Sequence, residues 1–153
     1  MKKTLLNLKM LANRLFTEIA QISADGQGVS RPAFSETETR ALEHLKKTAK
    51  SNGLAAWKDL AGNYLFSLLE DQDADQFVMV GSHADSVPQG GNYDGLAGVI
   101  AGLLCLIQAH QQGFSFKKPV KVVAFRAEES HWFGPCYIGS KSLLGKVTRE
   151  ELD

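Results

Sequence analysis

The chain has 153 residues, 44% of them hydrophobic and 22% charged, with a formal net charge of zero. Such a length suits one domain and buries roughly 70% of the surface that the unfolded chain exposes. The balanced charge leaves no electrostatic footprint for nucleic acid or an anionic membrane, and no apolar stretch approaches the ~20 residues that cross a bilayer.

Leu5, Leu8, Leu11, Leu15, Ile19 and Ile22 recur at intervals of three and four, which predicts an amphipathic helix over about 3–22. Met1-Lys2-Lys3-Thr4-Leu5 opens that pattern rather than a secretory apolar block, so no signal peptide is expected. Residues 23–34, with Gly26, Gly28 and Pro32, read as a loop. Ser35 with Glu38 three residues on is a capping-box signature, opening a helix through Ala41, Leu42, Leu45 and Ala49 that Gly53 stops. Strands are expected over 54–59 and 63–69, around the turn Ala61-Gly62-Asn63.

After an acidic loop at 70–75, Phe77-Val78-Met79-Val80 reads as a buried strand over 77–82. A helix rich in small residues follows Gly95 to about Gln112, ending at Gly113, and its glycines predict close packing on a sheet. A second buried strand covers 119–126. Pro135 suits the first turn of a last short helix ending near Gly145. The order α-α-β-β-β-α-β-α predicts an α/β fold, a mixed β-sheet flanked by helices in a single domain over 1–153.

Each buried strand runs into a polar segment. Gly81-Ser82-His83-Ala84-Asp85-Ser86-Val87 continues to Asp94-Gly95, and Ala127-Glu128-Glu129-Ser130 follows the second strand. Loops leaving strand carboxyl ends are where α/β folds bind ligands. His83 and Asp85 are two apart on extended chain and share a face, so one can ligate a metal while the other orients the imidazole; the plainer alternative is a His–Asp hydrogen bond. Asp94 stands where an N-cap is favoured, and a flexible approach through Pro88-Gln89-Gly90-Gly91-Asn92-Tyr93 would also let it bridge two metals beside His83. Glu128 and Glu129 could divide the roles of general base and metal ligand, or form a solvated acidic loop.

Other signals fail. Asp71-Gln72-Asp73-Ala74-Asp75 starts like a calcium loop, but Gln76 replaces the required glycine and Ser82 the final glutamate. Gly95, Gly98 and Gly102 match no phosphate-binding fingerprint, and no nucleophile elbow is present. Cys105 and Cys136 show no metal or redox spacing, which points to a reduced, cytoplasmic setting. A thiol nucleophile at Cys136, with His131 five residues before it, is a weaker reading. Trp132 is a candidate wall of the site.

Taken together, Gly-Ser-His-x-Asp-Ser-Val, Gly-Gly-x-Tyr-Asp-Gly-x-x-Gly-Val, Phe-Arg-Ala-Glu-Glu-Ser, Phe-Gly and Ile-Gly-Ser-Lys resemble the M20 metallohydrolases. The short gap between His83 and Asp94 resembles the N-carbamoyl-L-amino-acid hydrolase, allantoate amidohydrolase and β-ureidopropionase branch. Gly28-Val29-Ser30-Arg31-Pro32-Ala33-Phe34-Ser35 and Asp59-Leu60-Ala61-Gly62-Asn63 fit it too. The resemblance implies the N-terminal part of a zinc-peptidase-like (phosphorylase/hydrolase-like) catalytic domain. It further implies two divalent ions, zinc or manganese, with His83 on one, Asp94 bridging both, Glu129 on the second, Glu128 as general base and Asp85 orienting His83. The implied reaction is hydrolysis of a non-peptide C–N bond in a small ureido or N-carbamoyl substrate.

Family members are longer, with an inserted lid and dimerisation domain, and two further metal-binding histidines lie in the portion this chain lacks. His110 stands roughly 22 Å along the helix that begins at Gly95 and cannot replace them. His44 belongs to another helix; His131 is close in sequence to Glu129, a separation that does not establish coordination geometry, so at most one of the two missing histidines is replaceable. Two readings stand: a catalytic fragment completed by a C-terminal fragment, or a non-catalytic remnant with a partial or empty metal site that self-associates, as a homodimer, through an open sheet edge.

Overall fold

A computed structural model describes residues 2–152, with side chains from Asn7 onward; the Leu5 side chain and Asp153 lie outside the described residues. Helix α1 spans Lys2–Ser23, and β1 (Ala24–Asp25) and β2 (Gly28–Val29) form a two-stranded hairpin where only a loop is expected from sequence. Helix α2 spans Glu36–Ser51, followed by β3 (Ala55–Lys58), β4 (Tyr64–Ser67) and a 3-10 turn at Leu69–Asp71. Then come β5 (Val78–His83), α3 (Leu96–Gln112), β6 (Val120–Phe125) and α4 (Ile138–Leu143). Pro135 stands outside α4, because Tyr137 takes a left-handed turn (φ 64°) immediately before the helix.

The capping signature at α2 is realised with a shift of one residue. Ser35 Oγ accepts the Glu38 N–H at 3.1 Å, while Glu38 Oε2 accepts the N–H of Phe34, not of Ser35, at 2.7 Å. The C-terminus closes through Asn52 and Gly53, the latter with φ +80°.

The four strands lie in the order β3-β4-β6-β5. Antiparallel pairs join β3 to β4 and β4 to β6, whereas β5 and β6 are parallel through the α3 crossover, so the sheet is mixed. Tyr64, Phe66, Val122 and Ala124, alternate residues of β4 and β6, join Leu15 and Ile19 of α1, Leu42 and Leu45 of α2, and Leu103 and Leu106 of α3 in one core. Each such aliphatic side chain stabilises the fold by about 1.5–3 kcal/mol on burial. Helix α3 comes close because its glycines permit it: a Cβ on Gly98 would lie 2.7 Å from Ser82 Cβ, and one on Gly102 2.9 Å from Val122 Cγ1.

The apolar run at 77–80 is not buried. Strand β5 is the outermost of the sheet, with β6 on one side only, and leaves Val78 45% and Val80 43% exposed. Hydropathy alone reads an apolar edge strand and a central strand alike. No helix among the described residues is long and apolar enough to cross a membrane.

Candidate metal centre

The parallel pairing of β5 with β6 sets His83 opposite Phe125, so the chain leaves both strands at the same end of the sheet. There the two polar segments meet. His83 Nε2 lies 3.8 Å from Asp94 Oδ1 and 3.9 Å from Glu129 Oε1, and ligand atoms of these three residues fall within 4.8 Å of one another. Ligands of a tetrahedral ion held at ~2.1 Å are about 3.4 Å apart, so small side-chain movements bring the observed separations to coordination distance. An imidazole and two carboxylates suit zinc, manganese and similar divalent ions. Among the described residues this is the one His/Cys/Asp/Glu group of that kind.

His83 is held for such a role. Its Nδ1 lies 3.0 Å from the Asp85 carbonyl and 3.4 Å from Asp85 Oδ1. A carbonyl only accepts, so Nδ1 carries a proton, and Nε2 is the nitrogen that faces Asp94 and Glu129. Burial disfavours the charged imidazole, yet Asp85 and the neighbouring Glu129 hold its pKa above the ordinary value. Asp85 is fully buried; burial opposes its charge, but His83 and the N–H groups of Glu129 and Glu128 hold its pKa below the ordinary value.

Asp94 does not cap α3. Gly95 occupies the N-cap position with φ 61°, makes no side-chain cap bond, and leaves the Asp94 side chain 63% exposed beside His83. Its approach is anchored rather than free. Val29 and Gly90 exchange both backbone hydrogen bonds, at 3.0 and 2.9 Å, and Asn92 Nδ2 donates to the Phe16 carbonyl at 3.0 Å.

On the second strand end, Ala127 adopts φ 52° and turns the chain so that the N–H groups of Glu128 and Glu129 reach Asp85 at 3.2 and 2.9 Å. The Glu128 carboxylate accepts the Ser140 N–H and the Ser140 hydroxyl, both at 2.8 Å. Gly139 allows this docking, since a Cβ there would collide with the Arg126 carbonyl oxygen. His83, Glu128, Glu129, Ser130, Cys136 and Tyr137 line a cavity of about 350 Å³. Trp132 is not in that lining; its Nε1–H donates to the Ser86 carbonyl at 2.8 Å and pins the loop that follows β5.

The other three histidines stay outside the cluster. His44 pairs with Glu18 at 2.8 Å, His110 packs beside Gly53, and the His131 ring meets Trp132 edge-on at 5.0 Å. No hydrogen bond joins Cys136 to His131 among the described residues, and the thiol is free.

Residues 63–151 match the family model described as peptidase family M28. The chain is 34% identical over 145 residues to an N-carbamoyl-L-amino acid amidohydrolase of Geobacillus stearothermophilus, covering 92% of this chain and 35% of that protein. It is 33% identical over 153 residues to an allantoate amidohydrolase of Bacillus subtilis, covering 99% of this chain and 37% of the other. A crystal structure of a hydantoinase/carbamoylase family amidase from Burkholderia vietnamiensis superposes with a TM-score of 0.80 at 33% identity, over 91% of this chain and 35% of that one. The chain thus spans about a third of the length of these relatives. The motifs resemble M20 enzymes, the matched model bears the M28 description, and the relatives are the amidohydrolases of the branch the motifs resemble.

Proposed function

Because the chain belongs to peptidase family M28 by the matched family model and its relatives are hydantoinase/carbamoylase-type amidohydrolases, we propose that it carries part of the metal site of an amidohydrolase acting on N-carbamoyl or ureido compounds. The convergence of His83, Asp94 and Glu129 at the joined ends of β5 and β6 carries this reading. His83, through Nε2, and Asp94 and Glu129, through carboxylate oxygens, would hold the divalent metal. Zinc or manganese, when bound, polarises the substrate carbonyl and makes a water acidic enough to attack it.

The residues of the chain do the rest. Asp85 keeps the His83 proton on Nδ1 and fixes the turn that presents Glu129. Glu128 takes the proton of the attacking water on Oε2 and passes it to the leaving nitrogen. Ser140 makes that exchange feasible: its hydroxyl donates to Glu128 when the carboxylate is charged, and its oxygen accepts from Glu128 once protonated, with the Tyr137 carbonyl 3.3 Å away to receive the hydroxyl hydrogen. The ureido nitrogen leaves as an amine, with carbamate or carbon dioxide and ammonia as the further products.

A non-catalytic role has its own support, since the cluster offers three ligand residues with one imidazole and the remaining histidines lie elsewhere. Metal content after dialysis against zinc or manganese, together with hydrolysis of an N-carbamoyl-L-amino acid, separates the two. Stoichiometric metal with turnover that vanishes in Glu128→Gln supports catalysis by the chain. Metal-saturated protein without turnover leaves a metal-binding fragment that needs the remainder of the enzyme, and protein that takes up no metal overturns the site.

A further inference from the structure

Arg31 is the largest fully buried side chain of the described residues, and it forms no ion pair among them. Its Nε donates to the Ala84 carbonyl at 2.7 Å, and Nη1 donates to Ser23 Oγ and Asn92 Oδ1, each at 3.3 Å, while Nη2 has no partner. Its backbone N–H donates to Ser86 Oγ at 2.9 Å, and its carbonyl accepts the Ser86 N–H at 3.0 Å. Ala84 and Ser86 flank Asp85 and follow His83; Asn92 is two residues ahead of Asp94.

A buried cation lacking a salt bridge is costly, and an apolar side chain of similar volume would fill the space better. Burial indeed lowers the pKa of the Arg31 guanidinium, against the opposing pull of Asp85, Asp94 and Glu38. The same positive charge therefore lies in the field of the carboxylates that crowd His83, and its fork reaches both loops that carry them.

We propose that Arg31 is a positioning residue of the metal centre: it ties the His83–Asp85 loop to the Asp94 loop and sets the separation at which His83 and Asp94 hold an ion. This rests on the metal reading of the cluster. Arg31 sits in a glycine- and proline-punctuated loop far in sequence from every ligand, and these hydrogen bonds are what link it to the site.

Co²⁺ is the probe, followed by calorimetry and by its visible absorption bands, with the thermal midpoint of each variant measured alongside. The parent binds Co²⁺; Arg31→Met weakens binding about tenfold or more and shifts the bands, and Arg31→Lys restores part of the affinity. Asn92→Ala cuts the tie on the Asp94 side without opening the core, weakens binding severalfold and barely moves the midpoint; it decides the matter if Arg31→Met does not fold. Variants that bind Co²⁺ with the parent's affinity and spectrum overturn the role of Arg31 and leave the metal site standing. A parent that binds no Co²⁺ overturns the metal reading itself.

Discussion

Asp85 Oδ2 accepts the backbone N–H of Glu129 at 2.9 Å, so the carboxylate that steadies His83 at the end of β5 also anchors the turn leaving β6. One buried side chain thereby couples the two halves of the cluster, and its loss acts on both. Asp85→Asn preserves shape but replaces one acceptor oxygen with an NH₂ facing an N–H. Denaturant unfolding should register a loss of about 1–3 kcal/mol, the cost of leaving a buried polar group unpaired. Zn²⁺ affinity measured by competition should fall about 10–100-fold.

Gly95 tests the placement of the imidazole. Its φ of +61° disfavours any side chain, and a Cβ there would lie 2.5 Å from the His83 ring. Gly95→Ala should destabilise the fold by about 1–2 kcal/mol through backbone strain and abolish metal uptake by pushing His83 aside. Gly91 serves as control, since a Cβ there meets nothing within 4 Å. Gly91→Ala should bind metal as the parent does, read by metal analysis after gel filtration.

Glu38 supplies a pH signature. Burial pushes its carboxyl from 4.5 up to about 7, against the pull of Arg126, whose Nε donates to Oε2 at 2.7 Å. The folded value exceeds the unfolded one, so folding takes up a proton between about pH 4.5 and 7, and the stability this group contributes declines as pH rises through that window. In Glu38→Gln that decline disappears. The stability of the variant relative to the parent should rise by about 3 kcal/mol across the window, at about 1.4 kcal/mol for each pH unit between the unfolded and folded pKa. Urea titrations at a series of pH values measure the difference, in which the other carboxylates cancel.

Ser140 separates folding from chemistry at Glu128. Ser140→Ala removes the hydroxyl bond to Oε2 but keeps the backbone N–H to Oε1. Stability should drop by about 1 kcal/mol, and metal stoichiometry should stay that of the parent, because Ser140 touches no ligand. In an active complex of the chain with the remainder of its enzyme, turnover should fall while KM holds.

The elements legible in the sequence are those whose signal is local. The period of α1, the Ser35–Glu38 cap and the apolar runs at 77–80 and 120–125 sit within a few residues of the structure they specify. The cluster is legible for a related reason: parallel strands put their carboxyl ends together, so polar loops after two such strands meet. What cannot be read is long-range. Nothing near Val78 states that β6 alone pairs with its strand, so the exposed edge reads as buried. Arg31 lies in the stretch 23–34 that reads as a loop, and the two acceptors that tie it to the site, Ala84 and Asn92, lie more than fifty residues away. The engagement of Glu128 depends on where α4 docks, and the left-handed Tyr137 that sets the helix start carries no glycine to mark it.

Of the four strands of this sheet, β6 comes latest in the sequence, yet it lies between β4 and β5. A nascent chain that has emerged only as far as α3 therefore holds β5 without its single neighbour, and holds His83 and Asp94 without Glu129. Pairing of β5 and convergence of these three residues are thus one event in vectorial synthesis, brought about by the same stretch of chain. An ion captured by all three residues would act as a clock for that event, arriving only after the ribosome has released β6 and the turn beyond it.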